Sequence, residues 1–229
     1  MGRGRGADLS LDLEDNRAMS NRYWISVGAI AVVAALAGVY VSRLVSQPAL
    51  PALESGTALP QPRVLAPFSL RDTKNAPATP ASLRGHPTLV FFGFTHCPDV
   101  CPTTLGLLAI VQKQAALADA KLAGLKVALI SVDPERDTPE QLGQYVSSFG
   151  GDFIGLSGSA PEIVNVTRAF GVASARVDLG GGNYTMDHSA TVFALDSDAR
   201  IVAVFTPPLR ADALARDLAK LRDALGAGS

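Results

Sequence analysis

Hydrophobic and polar residues follow two different patterns along the chain. A single uncharged run extends from Tyr23 to Val41, whereas short apolar runs alternate with amphipathic segments after residue 62. At about 1.5 Å of rise per residue, a helix of roughly 20 residues crosses the hydrocarbon core of a bilayer, so the run is just long enough. The pattern therefore predicts one membrane helix followed by a domain in which strands and helices alternate.

The residues around the apolar run indicate an uncleaved membrane anchor. Aromatic residues such as Tyr23 and Tyr40 lie at its ends, where they suit the two membrane interfaces. The 22 residues before the run include four carboxylates, unlike the short basic segment of a signal peptide. Four arginines also precede the run and only Arg43 closely follows it, so the positive-inside bias predicts its orientation. We expect a cytoplasmic tail (1–22) and a single-pass anchor (23–45) in a bacterial inner membrane, with the remainder in the periplasm. Cleavage near Ala52 is the alternative that stays open at this point.

A change in composition separates the anchor from the domain. Residues 46–62 are rich in Pro, Ala and Ser, which predicts a linker. The 167 residues of 63–229 are enough to enclose one well-buried core.

Within this domain, continuous apolar runs predict buried strands, and capping signals before an apolar stripe predict helices. The predicted strands are Thr88–Phe94, Val127–Val132, Phe153–Leu156, Thr191–Leu195 and Ile201–Phe205. The predicted helices begin at Pro102, after Thr138, after Ser159 and shortly before Leu214. This order predicts an α/β, thioredoxin-like fold. An extra N-terminal hairpin is expected between Phe68–Asp72 and the Pro-rich stretch that ends at Leu83.

The charge balance and the two cysteines limit the classes of function that the domain can have. Lys plus Arg number 20 and Asp plus Glu number 21, without a long basic block, so nucleic acid is not expected as a partner. Two cysteines in an exported domain usually favour a structural disulfide. Cys97 and Cys101 are only four positions apart, however, and a disulfide that closes so short a loop stabilises little.

The position of Cys97 and Cys101 favours reactivity. They fall where the strand Thr88–Phe94 ends and the next helix begins, an edge of the sheet at which ligands bind in α/β folds. Free N–H groups at a helix N-terminus favour negative charge, so a lowered thiol pKa is expected. We expect the pair either to close a redox-active disulfide or to bind one soft metal ion.

The chain has three histidines, and His188 is the candidate third ligand. It lies in the segment that leads into Thr191–Leu195, which a thioredoxin-like sheet places beside the cysteine loop. His96 adjoins Cys97 but is expected to point the other way, and His86 is expected on the surface. Two thiolates and one imidazole favour copper, while structural zinc normally takes four protein ligands. This chemistry prefers copper over zinc without deciding between them.

Three pieces of sequence resemble the Sco/SenC family of copper chaperones for cytochrome c oxidase assembly. In order, they are Phe92–Pro102 (FGFTHCPDVCP), Ser131–Thr138 (SVDPERDT) and Asp187-His188. The similarity runs from about Phe68 to the C-terminal helix. The resemblance implies that the two cysteines and His188 bind Cu(I) or Cu(II). It further implies delivery of copper to the binuclear copper site of oxidase subunit II, or reduction of the cysteines of that site.

Other residues in or near the matching pieces each have two interpretations or a specific departure from relatives. Asp133–Arg136 is interpreted as a turn and helix cap, or as part of the rim or partner surface. Asp99 is interpreted as a loop residue, or as an oxygen ligand to Cu(II). Thr103 and Thr104 stand where some relatives carry acidic residues, a difference that would alter docking. Met186 is interpreted as a loop hydrophobe, or as a soft thioether near the site.

Two other functions stay open at this point. A thiol–disulfide oxidoreductase would use the same thiolates. Thioredoxins, however, have two residues between the cysteines, a Trp before the first, and a cis-proline facing them. Here three residues intervene, the only Trp is Trp24, and Met186–Ala190 contains no Pro. A peroxidase of the same fold would need an activating motif that is not evident. We therefore expect a metallochaperone rather than an enzyme, acting on oxidase subunit II or another copper protein.

Overall fold

The computed structural model describes residues 11–45, 51–150 and 153–226. The chain divides into two units, residues 1–49 and 50–229. In the first unit, helix α1 (Leu11–Val45) includes Tyr23–Tyr40, an 18-residue stretch long and apolar enough to cross a membrane. The side chains of this stretch are exposed, as a helix surrounded by lipid requires. Residues 46–50 of the predicted linker lie outside the described residues.

The second unit contains strands and helices in alternation. Its described strands are β1 (Gly56–Val64), β2 (Leu70–Asp72), β3 (Pro77–Ala78), β4 (Thr88–Gly93), β5 (Lys126–Ser131), β6 (Phe153–Ser157), β7 (Ser174–Gly180), β8 (Asn183–His188), β9 (Val192–Leu195) and β10 (Arg200–Phe205). Its described α-helices are α2 (Val100–Ala118), α3 (Pro139–Ser147), α4 (Ala160–Phe170) and α5 (Ala211–Leu225). Helix α2 is also long and apolar enough to span a membrane, but its buried leucines make it a core helix of this unit.

One eight-stranded sheet organises this unit. Its strand order is β1-β10-β9-β4-β5-β6-β2-β3, and β7 with β8 forms a separate two-stranded hairpin. Strands β4, β5 and β6 are parallel, and the remaining pairs of the large sheet are antiparallel. The five predicted strands agree with β4, β5, β6, β9 and β10 to within one residue at each end. The thioredoxin-like α/β fold and its N-terminal hairpin, β2–β3, are confirmed.

Local capping chemistry explains where two helices begin. At α3, Gln141 donates its backbone N–H to Thr138 Oγ1, and Thr138 donates its own to Gln141 Oε1, both at 3.3 Å. At α4, Ser159 donates its backbone N–H to Glu162 Oε2 at 2.7 Å. These reciprocal bonds satisfy N–H groups that the first turn of a helix leaves free. Both capping boxes predicted from the sequence are thus confirmed.

Successive residues of β4 point to opposite faces of the sheet. Phe92 contacts Phe170 of α4 and Phe193 of β9, with ring centroids 5.2 and 6.2 Å away. The next residue, Gly93, faces the Sγ atom of Cys101 in α2. Helices therefore cover both faces of the central strands, and the carboxyl end of β4 lies directly beneath the cysteines.

The linker predicted over 46–62 differs from the structure. Gly56–Val64 forms the edge strand β1, which pairs antiparallel with β10. Just before it, the buried carboxylate of Asp217 accepts backbone N–H bonds from Glu54 and Ser55, each at 2.8 Å. Pro is tolerated on edge strands, which explains why a Pro-rich composition resembles a linker here. The domain therefore begins earlier than residue 63.

The hairpin β7–β8 is absent from the sequence prediction. Gly180 ends β7 and Gly181 and Gly182 form the turn, and all three have positive φ (84, 63 and 81°), a conformation that glycine adopts without steric cost. His188 is the last residue of β8. The candidate ligand is thus carried by a strand end rather than by an irregular loop.

Candidate metal centre

The two cysteines lie on either side of the junction between β4 and α2. Cys97 is in the turn that follows β4, where its backbone N–H donates to the Phe94 carbonyl at 3.3 Å. Cys101 is in the first turn of α2, and its N–H donates to Cys97 Sγ at 3.4 Å. Cys101 is fully buried, whereas Cys97 is partly exposed. One sulfur is therefore enclosed by the core, and the other is accessible from solvent.

His188 lies beside the cysteines, and we call Cys97, Cys101 and His188 together the sulfur–imidazole group. Its Nε2 atom lies 3.4 Å from Cys101 Sγ, and its Nδ1 lies 3.2 Å from the Ser189 carbonyl oxygen. The carbonyl can only accept, so Nδ1 carries the proton and Nε2 keeps its lone pair towards the sulfurs. The imidazole is also fixed by edge contacts with Phe91 and Phe94, each at 5.9 Å between ring centroids. The ligand atoms of Cys97, Cys101 and His188 lie within 4.8 Å of one another.

The electrostatics of the buried Cys101 differ from the expectation of a lowered thiol pKa. Burial raises the pKa of the Cys101 thiol, and the nearby Cys97 and Asp137 raise it further. Desolvation therefore outweighs the helix N-terminus at this position. Burial also lowers the pKa of His188, which keeps the imidazole neutral and ready to bind a metal. The buried sulfur must lose a proton before it becomes a strong ligand.

This proton makes metal binding dependent on pH. Because the raised pKa keeps Cys101 protonated at neutral pH, a bound Cu(I) ion must displace that proton. We expect the apparent Cu(I) affinity to rise about tenfold per pH unit for each proton released. Competition titrations at pH 6.5 and 7.5 measure the change. An affinity that stays constant across this interval would show that both sulfurs are already thiolates.

Asp137 holds the cysteine loop in place. Its buried carboxylate accepts hydrogen bonds from the Thr95 backbone N–H at 3.1 Å, the Thr95 hydroxyl at 2.6 Å and the Ser131 hydroxyl at 2.6 Å. No role for Asp137 is predicted from the sequence. Asp137 lies between a turn and the N-cap Thr138, and a carboxylate at such a position resembles an ordinary helix-capping residue.

A second set of potential ligand atoms comprises His96, Asp133 and Asp137. Its two carboxylates already accept hydrogen bonds, Asp133 from Arg136 and Tyr184, and Asp137 as described above. His96 is exposed, with Nδ1 3.0 Å from the Thr95 hydroxyl. We therefore interpret this set as a hydrogen-bond network that supports the loop, and His96 lies outside the sulfur–imidazole group, as predicted.

The remaining candidates take peripheral positions. His86 lies just before β4, at the opposite end from the cysteines, and is partly buried rather than on the surface. Asp99 is the exposed N-cap of α2 and makes no side-chain capping bond. Thr103 is exposed but Thr104 is buried, so only the first is available to a partner. Met186 is partly buried against the core.

The lack of a side chain at Gly93 leaves room for the Sγ atom of Cys101. A Cβ atom at this position would lie 2.9 Å from Cys101 Sγ and 3.2 Å from Leu129 Cδ1. We expect Gly93→Ala to displace the sulfur, weaken copper binding and lower the free energy of unfolding by about 1–3 kcal/mol. The matched control is Gly106→Ala in α2, where a Cβ meets nothing within 4 Å. That change should raise the free energy of unfolding by about 0.4–1 kcal/mol. Urea denaturation compares the two, and equal effects would contradict the packing explanation.

Comparison with known proteins identifies a matching family model and similar solved structures. Residues 56–223 match the family model SCO1/SenC. The SCO2-like protein of Rickettsia prowazekii is 40% identical over 141 residues, which are 61% of this chain and 67% of that protein. The crystal structure of Arabidopsis thaliana ScoI with copper bound is 32% identical, with a TM-score of 0.66, covering 70% of this chain and 99% of that one. The structure of Bradyrhizobium japonicum ScoI with copper bound is 40% identical, with a TM-score of 0.61, covering 69% of this chain and 98% of that one.

Proposed function

Because this chain belongs to the SCO1/SenC family, we propose that it is a membrane-anchored metallochaperone whose Cys97, Cys101 and His188 bind copper as cargo. The observation that carries the proposal is the convergence of two sulfurs and one imidazole nitrogen within 4.8 Å. Soft thiolates select Cu(I), which accepts three ligands. The two ScoI structures with copper bound, each similar to about 70% of this chain, support the same cargo.

The partner we propose is cytochrome c oxidase subunit II, with its binuclear copper site. Cys97 is the accessible sulfur, so a partner thiolate reaches the copper ion from the Cys97 side. Exchange of one sulfur ligand at a time then moves the ion without releasing it to solvent. His188 and the buried Cys101 retain it until the partner's ligands replace them.

The same sulfurs support a second role, reduction of the partner's cysteines. The Cys97 thiolate attacks a partner disulfide and forms a mixed disulfide, releasing one partner thiolate. Cys101, after losing its proton, attacks Cys97 Sγ and releases the second partner thiolate. The product is a Cys97–Cys101 disulfide and two reduced partner cysteines, a two-electron exchange in which atoms balance. The exposure of Cys97 and burial of Cys101 favour this order of attack.

We place the domain on the periplasmic side of a bacterial inner membrane, held there by α1. The support is the apolar stretch Tyr23–Tyr40 and the arginines that precede it. In this arrangement subunit II meets the copper site on the periplasmic side of the membrane.

A two-arm experiment with the isolated copper domain of subunit II tests the function. In the first arm, the copper-loaded chain is mixed anaerobically with the reduced, metal-free partner domain. In the second, the reduced, metal-free chain is mixed with the oxidised partner domain. Delivery predicts that copper is recovered on the partner domain once the two proteins of the first arm are separated, and reduction predicts new partner thiols in the second. No change in either arm, together with rapid insulin reduction, would contradict the proposal and favour a general oxidoreductase.

A further inference from the structure

The hairpin that carries His188 needs support from outside itself. Among the described strands, β7 and β8 pair only with each other, and every residue of β7 is exposed. An isolated two-stranded hairpin is marginally stable in water. The position of the imidazole therefore depends on whatever fixes β8 to the rest of the domain.

Tyr184 of β8 lies between two guanidinium groups. The Cζ atoms of Arg136 and Arg176 are each 3.7 Å from the centroid of its ring. At this distance each planar group is in van der Waals contact with the ring, so two of them fit only on opposite faces. Such stacked contacts are attractive because the negative face of the ring meets a cation.

The tyrosine is also tied to the loop that follows β5. Its hydroxyl donates to Asp133 Oδ1 at 2.8 Å, and its carbonyl accepts from Arg136 Nη1 at 3.1 Å. Arg136 is itself held by a hydrogen bond from Nε to Asp133, which is buried. Arg176, on β7, pairs with Glu135 of the same loop at 3.0 Å. Both strands of the hairpin are thus attached to residues 133–136.

The attachment point and the ligand share one strand. Tyr184 and His188 are four residues apart on β8, so the side-chain alternation of a strand places them on the same face. Phe94 lies between Arg136 and His188, since its ring is 5.9 Å from Arg136 Cζ and 5.9 Å from the imidazole. Holding the tyrosine therefore also holds the imidazole against the sulfurs.

We propose that Tyr184 is a positioning residue of the copper site, and that its clamp of Asp133, Arg136 and Arg176 keeps His188 within reach of the two sulfurs. This inference rests on the proposed copper-binding function. Without the clamp, β8 separates from the loop and the site retains only its two sulfur ligands.

The test uses the full chain in detergent with Tyr184→Leu, Tyr184→Phe and, as a control, Leu179→Thr. Leu179 is 65% exposed in the same hairpin and lies outside the clamp. In metal-free Tyr184→Leu, we expect backbone amides of β8 to exchange with deuterium about tenfold faster, while β4 and β5 are unchanged. We also expect about 10- to 100-fold weaker copper binding and loss of imidazole nitrogen coupling in the Cu(II) electron paramagnetic resonance spectrum. Tyr184→Phe keeps the stacked ring and should retain that coupling.

The outcomes separate this inference from the proposed function. Unchanged β8 exchange in Tyr184→Leu would overturn the clamp, whatever happens to copper. A wild-type chain that binds no copper would overturn the proposed function, while the exchange measurement still tests how the hairpin is held. If Tyr184→Leu does not fold, Arg176→Met removes one stacked guanidinium from an exposed position. Unchanged exchange in that variant would likewise overturn the clamp.

Discussion

Replacing His188 with alanine is expected to weaken Cu(I) binding by more than about 100-fold while the domain stays folded. The imidazole supplies one of three ligand atoms, and even partners outside the first coordination shell contribute about 10- to 100-fold to metal affinity. Its packing partners Phe91 and Phe94 remain in place, so the free energy of unfolding should fall by no more than about 2 kcal/mol. Competition of the reduced protein with a calibrated Cu(I) chelator gives the affinity, and circular dichroism checks the fold.

The chain provides two matched controls for this variant. His86 lies at the other end of β4, and His96 is exposed beside Cys97 but outside the sulfur–imidazole group. His86→Ala and His96→Ala should each leave Cu(I) affinity within a few-fold of wild type. An equal loss in His96→Ala and His188→Ala would mean that the imidazole ligand has been assigned to the wrong residue.

Replacing Asp137 with alanine is expected to lower the free energy of unfolding by about 3 kcal/mol. Its buried carboxylate accepts three hydrogen bonds from Thr95 and Ser131, and each buried donor left without a partner costs at least about 1 kcal/mol. The freed turn also releases the cysteine loop, so Cys101 should react faster with iodoacetamide in the metal-free protein. Urea denaturation and peptide mapping of the alkylated cysteines measure the two effects.

Asp223→Ala is the control for this second prediction. Asp223 is 74% exposed and pairs with Lys121 at the surface, where an ion pair contributes about 0–1 kcal/mol. A loss of stability in Asp137→Ala no larger than that in Asp223→Ala would show that Thr95 and Ser131 find other partners.

The elements predictable from sequence are those whose signal is local. Strands β4 and β5 are buried on both faces, so they appear as continuous apolar runs. Helices α3 and α4 begin at capping boxes, whose bonds join residues three positions apart. In both cases the residues that determine the structure are neighbours in the chain.

The elements that escape prediction depend on contacts between distant residues. Strand β1 is Pro-rich, and its residues do not alternate between apolar and polar, so its pairing with β10 has no signal in the local sequence. Strand β7 is exposed along its whole length. The glycine turn at 180–182 is a hairpin signal, but its flanking strands lack the alternation that would support it. Contacts from Tyr184 to Asp133 and from Asp137 to Thr95 span 51 and 42 residues, so no spacing rule reveals them.

The candidate site falls between these two cases. The spacing of Cys97 and Cys101 and their place after a buried strand are local, but His188 is 87 residues from Cys101. Its place beside the cysteines is predictable only through the thioredoxin-like arrangement and the family resemblance. The raised pKa of Cys101 was not predicted, because burial depends on the packed core and opposes the effect of the helix N-terminus.

X-ray absorption spectroscopy of the reduced, copper-loaded chain tests the three-ligand site most directly. We predict one Cu(I) ion per chain with two sulfur ligands and one nitrogen ligand, together with the outer-shell scattering of an imidazole ring. In His188→Ala the imidazole contribution should disappear while both sulfurs remain. A wild-type spectrum with sulfur ligands alone, or a chain that retains no copper, would contradict the site formed by Cys97, Cys101 and His188.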